Sequence, residues 1–183
     1  RSQYFGEGAP NFSVGFILDD MELSGLGMLG NLFDLNQIEV FRGPMSSVFG
    51  TNSLAGLISL RSNNPSDSLR LESLLSGGTD NFLSLGTMLN LPVNNNLQFR
   101  FSGSVLQSDG FRYNKFRELS DSNKKDEQFI RVKLNYEPLK NLKVLGTLIY
   151  AELDNGYDAW APDNNTYYNT YSDDNGEDSQ KTF

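Results

Sequence analysis

Side chains able to do covalent or acid–base chemistry are scarce in this sequence. It has no cysteine, which excludes disulfide frameworks, thiolate metal sites and thiol nucleophiles. It has no histidine either, which removes the usual general base, the Ser–His dyad and most transition-metal sites. Carboxylates remain. Asp19, Asp20 and Asp34 could serve a carboxylate-using glycosidase, but acids beside a strand are ordinary turn residues and the turn reading is preferred. Loss of hydrolase activity in Asp19→Asn would revive the enzyme reading. Seven acids without a lysine or arginine fill 154–179, namely Asp154, Asp158, Asp163, Asp173, Asp174, Glu177 and Asp178. Calcium takes oxygen ligands of this kind, yet the spacing matches no EF-hand, so the stretch reads as a solvated loop. Gly25-Leu26-Gly27-Met28-Leu29-Gly30 has the form of a dinucleotide fingerprint. Only Asn31 to Gln37 separate it from the next strand, leaving no room for the long helix such a site needs, and it reads as a Gly-rich loop before a short helix at Leu32, Phe33 and Leu35. No catalytic residue, cofactor or metal ligand is assigned.

Recognition is then the remaining chemistry, and its candidates sit on strands and corners. The net charge of −8 with no basic cluster argues against nucleic acid. No run of eighteen apolar residues encodes a membrane helix, a test that a β-barrel escapes because its lipid-facing residues alternate with polar ones. The polar break at Asn63-Asn64-Pro65 separates two regions, 1–64 and 65–183.

In the second region one pattern recurs. Leu69, Leu71 and Leu75 alternate with Arg70 and Glu72; Leu83, Leu85, Leu89 and Leu91 with Ser84 and Asn90; Phe99, Phe101 and Val105 with Gln98, Arg100 and Ser102. Ile130, Val132, Leu134 and Tyr136 then oppose Arg131, Lys133 and Asn135, and Leu142, Val144, Leu148 and Tyr150 oppose Lys143 and Thr147. Segments of about ten residues match the nine to eleven that a membrane strand needs better than the five or six of an ordinary one. Arg100, Arg131 and Lys133 lie mid-segment, where facing lipid costs about 2–4 kcal/mol each, so they must face a lumen. Tyr136, Tyr150 and Phe111 lie toward segment ends, as girdle aromatics do. Short turns at 92–96 and 138–141 alternate with long loops at 108–126 and 154–179, although Gly77 to Asn81 would be a short external turn, and in the second long loop Tyr157, Trp160, Tyr167 and Tyr168 are candidate ligand contacts.

The first region is built around Ile38 to Leu60. Gly43-Pro44, Gly50 and Gly56 punctuate three short strands there, and a single charge, Arg42, stands at the first corner. The ordered string Ile38-Glu39-Val40-Phe41-Arg42-Gly43-Pro44, then Phe49-Gly50, then Ala55-Gly56-Leu57-Ile58 resembles the end of the plug domain of TonB-dependent outer-membrane receptors. Val14 to Asp20 resembles that family's strand ending in an Asp-Gly turn, with Asp20 in place of the glycine. The resemblance covers about a third of the chain. It implies a mostly β fold, with the C-terminal part of an α+β plug at 1–64 and the first antiparallel strands of a barrel at 65–183, incomplete against the family's barrel of about 22 strands. It also implies that Arg42 is tied to carboxylates of the barrel wall, and that Gln3, Tyr4, Phe5, Phe49, Gly50, Thr51 and Asn52 lie at a ligand-facing apex.

The function implied is ligand-gated, energised import of a scarce solute, such as a ferric siderophore, across the Gram-negative outer membrane. Its partners would be the solute, outer-membrane lipid, and TonB through a segment ahead of Arg1. The chain lacks an initiator methionine and a signal-peptide pattern, and is expected to be internal to a longer precursor. A passive porin or structural barrel would account for the alternation but leaves Ile38 to Leu60 without a purpose.

Overall fold

The computed structural model describes residues 13–24, 32–45, 53–162, 168–173 and 177–182. Every regular element among them is a strand, and the chain divides into two compact units, Arg1–Asn64 and Pro65–Phe183.

The first unit is a four-stranded sheet of β1 (Val14–Leu18), β2 (Met21–Glu22), β3 (Leu35–Arg42) and β4 (Gly56–Ser62), in the order β2-β1-β4-β3. β1 and β4 run parallel, and β3 is antiparallel to β4. Phe16, Ile17, Leu18, Leu57 and Leu60 form its buried core. Apolar side chains on both faces of β1 suit a central strand. Asp19 and Asp20 connect β1 to β2 with φ of 49° and 67°. Two successive positive φ values define the tight hairpin turn whose twist matches the flanking strands, so Asp20 takes a left-handed conformation that glycine adopts without steric cost. At Gly56 β4 passes close to β3: a Cβ there would lie 2.6 Å from the Phe41 carbonyl oxygen. The short helix expected at Leu32, Phe33 and Leu35 is not formed. Leu32 to Asp34 are irregular, and Leu35 opens β3 opposite Ser62, because pairing with β4 satisfies its backbone groups as a single isolated helical turn would not. The expected Gly25–Gly30 loop and the strand after Pro44 fall largely outside the described residues.

The second unit is an antiparallel sheet of β5 (Arg70–Gly77), β6 (Leu83–Asn94), β7 (Leu97–Ser108), β9 (Lys125–Leu139), β10 (Leu142–Gly156) and β12 (Glu177–Thr182), in the order β12-β10-β9-β7-β6-β5. The separate short strands β8 (Tyr113–Asn114) and β11 (Asn169–Thr170) pair in parallel. All five repeated segments are strands, and all but β5, which has eight residues, are longer than the apolar alternation alone marks, with fifteen residues in each of β9 and β10. The excess comes at the ends, where polar residues pair as readily as apolar ones: Asp154 faces Ser179, and Asn155 faces Asp178. The stretch 154–179 is therefore not one loop, since Asp154 lies on β10 and Glu177 and Asp178 lie on β12. Twelve residues rising about 3.3 Å each and tilted by roughly 45° span about 28 Å, which matches a hydrocarbon band of about 25 Å.

Candidate functional site

Register fixes which side chains share a face. Leu71, Leu89, Phe101, Val132 and Leu148 form one cross-strand row on the second unit's sheet. The neighbouring row on the opposite face is Arg70, Asn90, Arg100, Lys133 and Thr147. The same parity holds along the strands, so Leu85, Phe99, Ile130, Leu134, Tyr136 and Val144 belong to the apolar face. Leu71, Ile130 and Leu148 are more than half exposed, an arrangement a water-soluble sheet avoids and a lipid-facing one requires.

The opposite face carries a buried polar patch beside the buried apolar Met88, Phe129, Ile149, Ala151 and Leu153, while its Arg70 and Thr147 are exposed. Asn90, Gln98, Arg100, Ser102, Arg131, Lys133 and Asn135 are each less than one-tenth exposed. Arg100, Arg131 and Lys133 thus lie away from the apolar face, as the sequence required, and none of the three lacks an interaction partner. The Arg100 Nη1 donates to Asn90 Oδ1 at 3.4 Å, Asn135 Nδ2 donates to Gln98 Oε1 at 2.6 Å, and the Arg131 guanidinium lies 5.6 Å from the Phe129 ring centroid. Bonding of this kind is what lets charged groups stay buried. Asn90, fully buried, also receives the Ser66 N–H and donates to the Ser66 and Ser68 carbonyls, which guides the chain into β5.

At one end of the sheet the strands are joined by two-residue turns, Asn95-Asn96 and Lys140-Asn141. From the other end rise the connections after β7 and after β10, and the structure draws them together. β8 lies in the first and β11 in the second. The Tyr113 N–H donates to the Tyr168 carbonyl and the Lys115 N–H to the Thr170 carbonyl, both at 2.8 Å. Beneath them, Asp158 is only 3% exposed. Its Oδ2 accepts from Asn114 Nδ2 at 2.7 Å and from the Thr170 hydroxyl. This corrects the reading of 154–179 as uniformly solvated: tertiary contacts between the two loops bury one of its carboxylates. Nothing local marks Asp158 out, because its partners lie 44 and 12 residues away. Among the described residues no group of three or more acids is placed to hold a metal ion.

Of the other residues singled out in the sequence, Tyr157, Trp160 and Tyr168 are exposed on the second of these loops. Tyr136 is exposed and Tyr150 partly so, both on the apolar face; Tyr136 lies toward the end of β9, but β10 runs on to Gly156, so Tyr150 stands next to the middle of its strand rather than at the end expected from the sequence. Phe111 lies on the first loop beneath the Arg112 guanidinium. Arg42 closes β3 opposite Gly56 and is exposed. Gln3, Tyr4, Phe5, Phe49, Gly50, Thr51, Asn52 and Tyr167 lie outside the described residues. Asp19 and Asp34 are occupied structurally. Asp19 accepts from both the backbone and the hydroxyl of Ser62, and Asp34 accepts from Asn63 Nδ2 at 2.9 Å.

A sheet of long meandering antiparallel strands with an exposed apolar face, two-residue turns at one end and, at the other, two long connections beside the short one at 78–82 has the pattern of outer-membrane barrel strands. Comparison with known proteins narrows the class. The chain is 29% identical over 105 residues to the vitamin B12 transporter BtuB of Vibrio vulnificus, a match covering 57% of this chain and 17% of that one. It superimposes on the ferric-catecholate import receptor Fiu of E. coli with a TM-score of 0.65 at 16% identity, covering 82% of this chain and 22% of that receptor. The pyoverdine outer-membrane receptor FpvA of Pseudomonas aeruginosa gives 0.64 at 14% identity, covering 78% and 21%. No family model matches the chain. The fold is that of the TonB-dependent receptors of the Gram-negative outer membrane, and this chain has the fold of one segment of them. It spans about a fifth of the length of the relatives it matches.

Proposed function

We propose that the chain is part of a ligand-gated importer, with 1–64 as the C-terminal part of the plug and 65–183 as the first strands and loops of the barrel. The observation that carries this reading is the pairing, in one chain, of a two-faced sheet of membrane length with a separate small sheet bearing the Ile38-to-Pro44 string. A passive barrel needs only the first of these. The named relatives are transporters and receptors rather than enzymes, and the solutes in their names, vitamin B12, ferric catecholates and pyoverdine, suggest a scarce, large metal chelate as cargo.

In this reading Arg42 is bound by carboxylates of the barrel wall, because an unpaired charge inside a barrel is costly. Gln3 to Phe5 and Phe49 to Asn52 face the solute from the plug, and Tyr157, Trp160, Tyr167 and Tyr168 from outside. A solute can drive gating only by binding one plug arrangement better than another. TonB would supply the energy through a segment ahead of Arg1. Uptake of radiolabelled ferric siderophores and cobalamin by cells expressing the full-length receptor, with and without TonB, tests this. Uptake of one such chelate that vanishes without TonB is expected. Flux that is indifferent to TonB and to deletion of the plug would establish the passive barrel instead.

A further inference from the structure

The two long connections of the second unit are bound to each other more closely than surface loops need be. Asn114, fully buried, uses its whole side chain: Nδ2 donates to Asp158 Oδ2 and to the Ser172 carbonyl, and Oδ1 accepts the Phe116 and Arg117 N–H groups at 2.9 Å. The Arg112 Nη1 donates to the Asp158 carbonyl at 3.1 Å, and within the second connection the Tyr171 N–H donates to the Trp160 carbonyl at 2.9 Å. At the loop base the Gly156 N–H meets the Lys124 carbonyl at 2.9 Å.

We propose that Asp158 is a positioning residue that locks the loop after β7 to the loop after β10, so that Tyr113 and Phe116 on one and Trp160 and Tyr168 on the other meet an incoming solute as a single fixed surface. This rests on the reading of both loops as external. The physical reason is asymmetry of cost. Removing the carboxylate strands one N–H of Asn114 Nδ2, whose other N–H keeps the Ser172 carbonyl, and the Thr170 hydroxyl, and a buried donor without an acceptor is relieved only by opening the site to water. All four named aromatics are more than two-fifths exposed, so the lock rather than their own packing sets their spacing. Prior ordering of such a surface lowers the cost of binding to it.

The test uses the full-length receptor in lipid nanodiscs, spin-labelled at Phe116→Cys and Trp160→Cys. A single narrow distance distribution is expected with Asp158 intact. Asp158→Ala should broaden it at least twofold and speed tryptic cleavage after Arg112, Lys115 and Arg117 about tenfold. Asp158→Asn, which keeps one acceptor oxygen, should restore an intermediate width, a rescue that general loss of stability would not produce. An unchanged distribution in Asp158→Ala, with the barrel shown folded by its heat-dependent electrophoretic mobility, overturns the lock. If that variant does not fold, Asn114→Asp keeps the acceptor for the Phe116 and Arg117 N–H groups but removes the donor that reaches Asp158 from the other loop, and an unchanged width there overturns it equally. Failure of a membrane-impermeant maleimide to label Trp160→Cys on intact cells would overturn the external placement, and with it the presentation role, whatever the distances show.

Discussion

Leu148 and Thr147 are neighbours on β10, close to its middle, and both are exposed. A water-soluble sheet would accept arginine at either with little difference. A membrane sheet would not. Leu148 lies in the apolar row beside Val132, the middle residue of the fifteen in β9, whereas Thr147 lies in the polar row beside Lys133. Arginine facing hydrocarbon at that depth costs about 2–4 kcal/mol. At Thr147 it pays no lipid cost and only a like-charge contact with Lys133, roughly 0.2–1 kcal/mol. Leu148→Arg should therefore be the less stable by about 1–4 kcal/mol, a factor of roughly 5 to 1,000 in the folded-to-unfolded ratio, since about 1.4 kcal/mol is tenfold. Reversible urea unfolding of the full barrel in lipid vesicles reads the difference directly. Equal stabilities, or a more stable Leu148→Arg, would show that the apolar row does not face lipid.

Three further outcomes follow from local geometry. Asn90→Ala removes three hydrogen bonds to Ser66 and Ser68 and should cost about 1–3 kcal/mol, read as faster amide exchange at the start of β5. Asp19→Ala releases the Ser62 N–H and hydroxyl at the end of β4; a loss of about 1–3 kcal/mol in local protection at Ser62 is expected, with no change in any hydrolase assay. Gly156→Ala would set a Cβ 2.3 Å from the Ser122 carbonyl oxygen, so the two loop bases must part, at a cost of about 1–3 kcal/mol and with accelerated proteolysis after Lys124.

Period-two alternation determined much of this protein before any coordinates. A one-residue slip would turn every apolar side chain to the other face, so the runs around Leu85, Phe101, Val132 and Leu148 fix both the existence of the strands and their sidedness. The mid-segment cations fix which face is which, because lipid tolerates them so poorly. The corner at Arg42-Gly43-Pro44 was equally legible, since glycine and proline restrict the backbone by themselves. What the sequence could not supply is anything set by partners distant along the chain. The parallel placement of β1 beside β4 joins residues about forty apart, and the apolar pattern of either strand fits several neighbours. Leu32 to Leu35 carry a helix-like apolar spacing, but the backbone bonds offered by β4 outweigh it, and β3 takes Leu35 instead. Asp158 shows the same limit at the loops. In an acid-rich stretch it is indistinguishable from its solvated neighbours, and only the approach of Asn114 from the other loop and of Thr170 from further along its own turns it from a surface charge into a buried anchor.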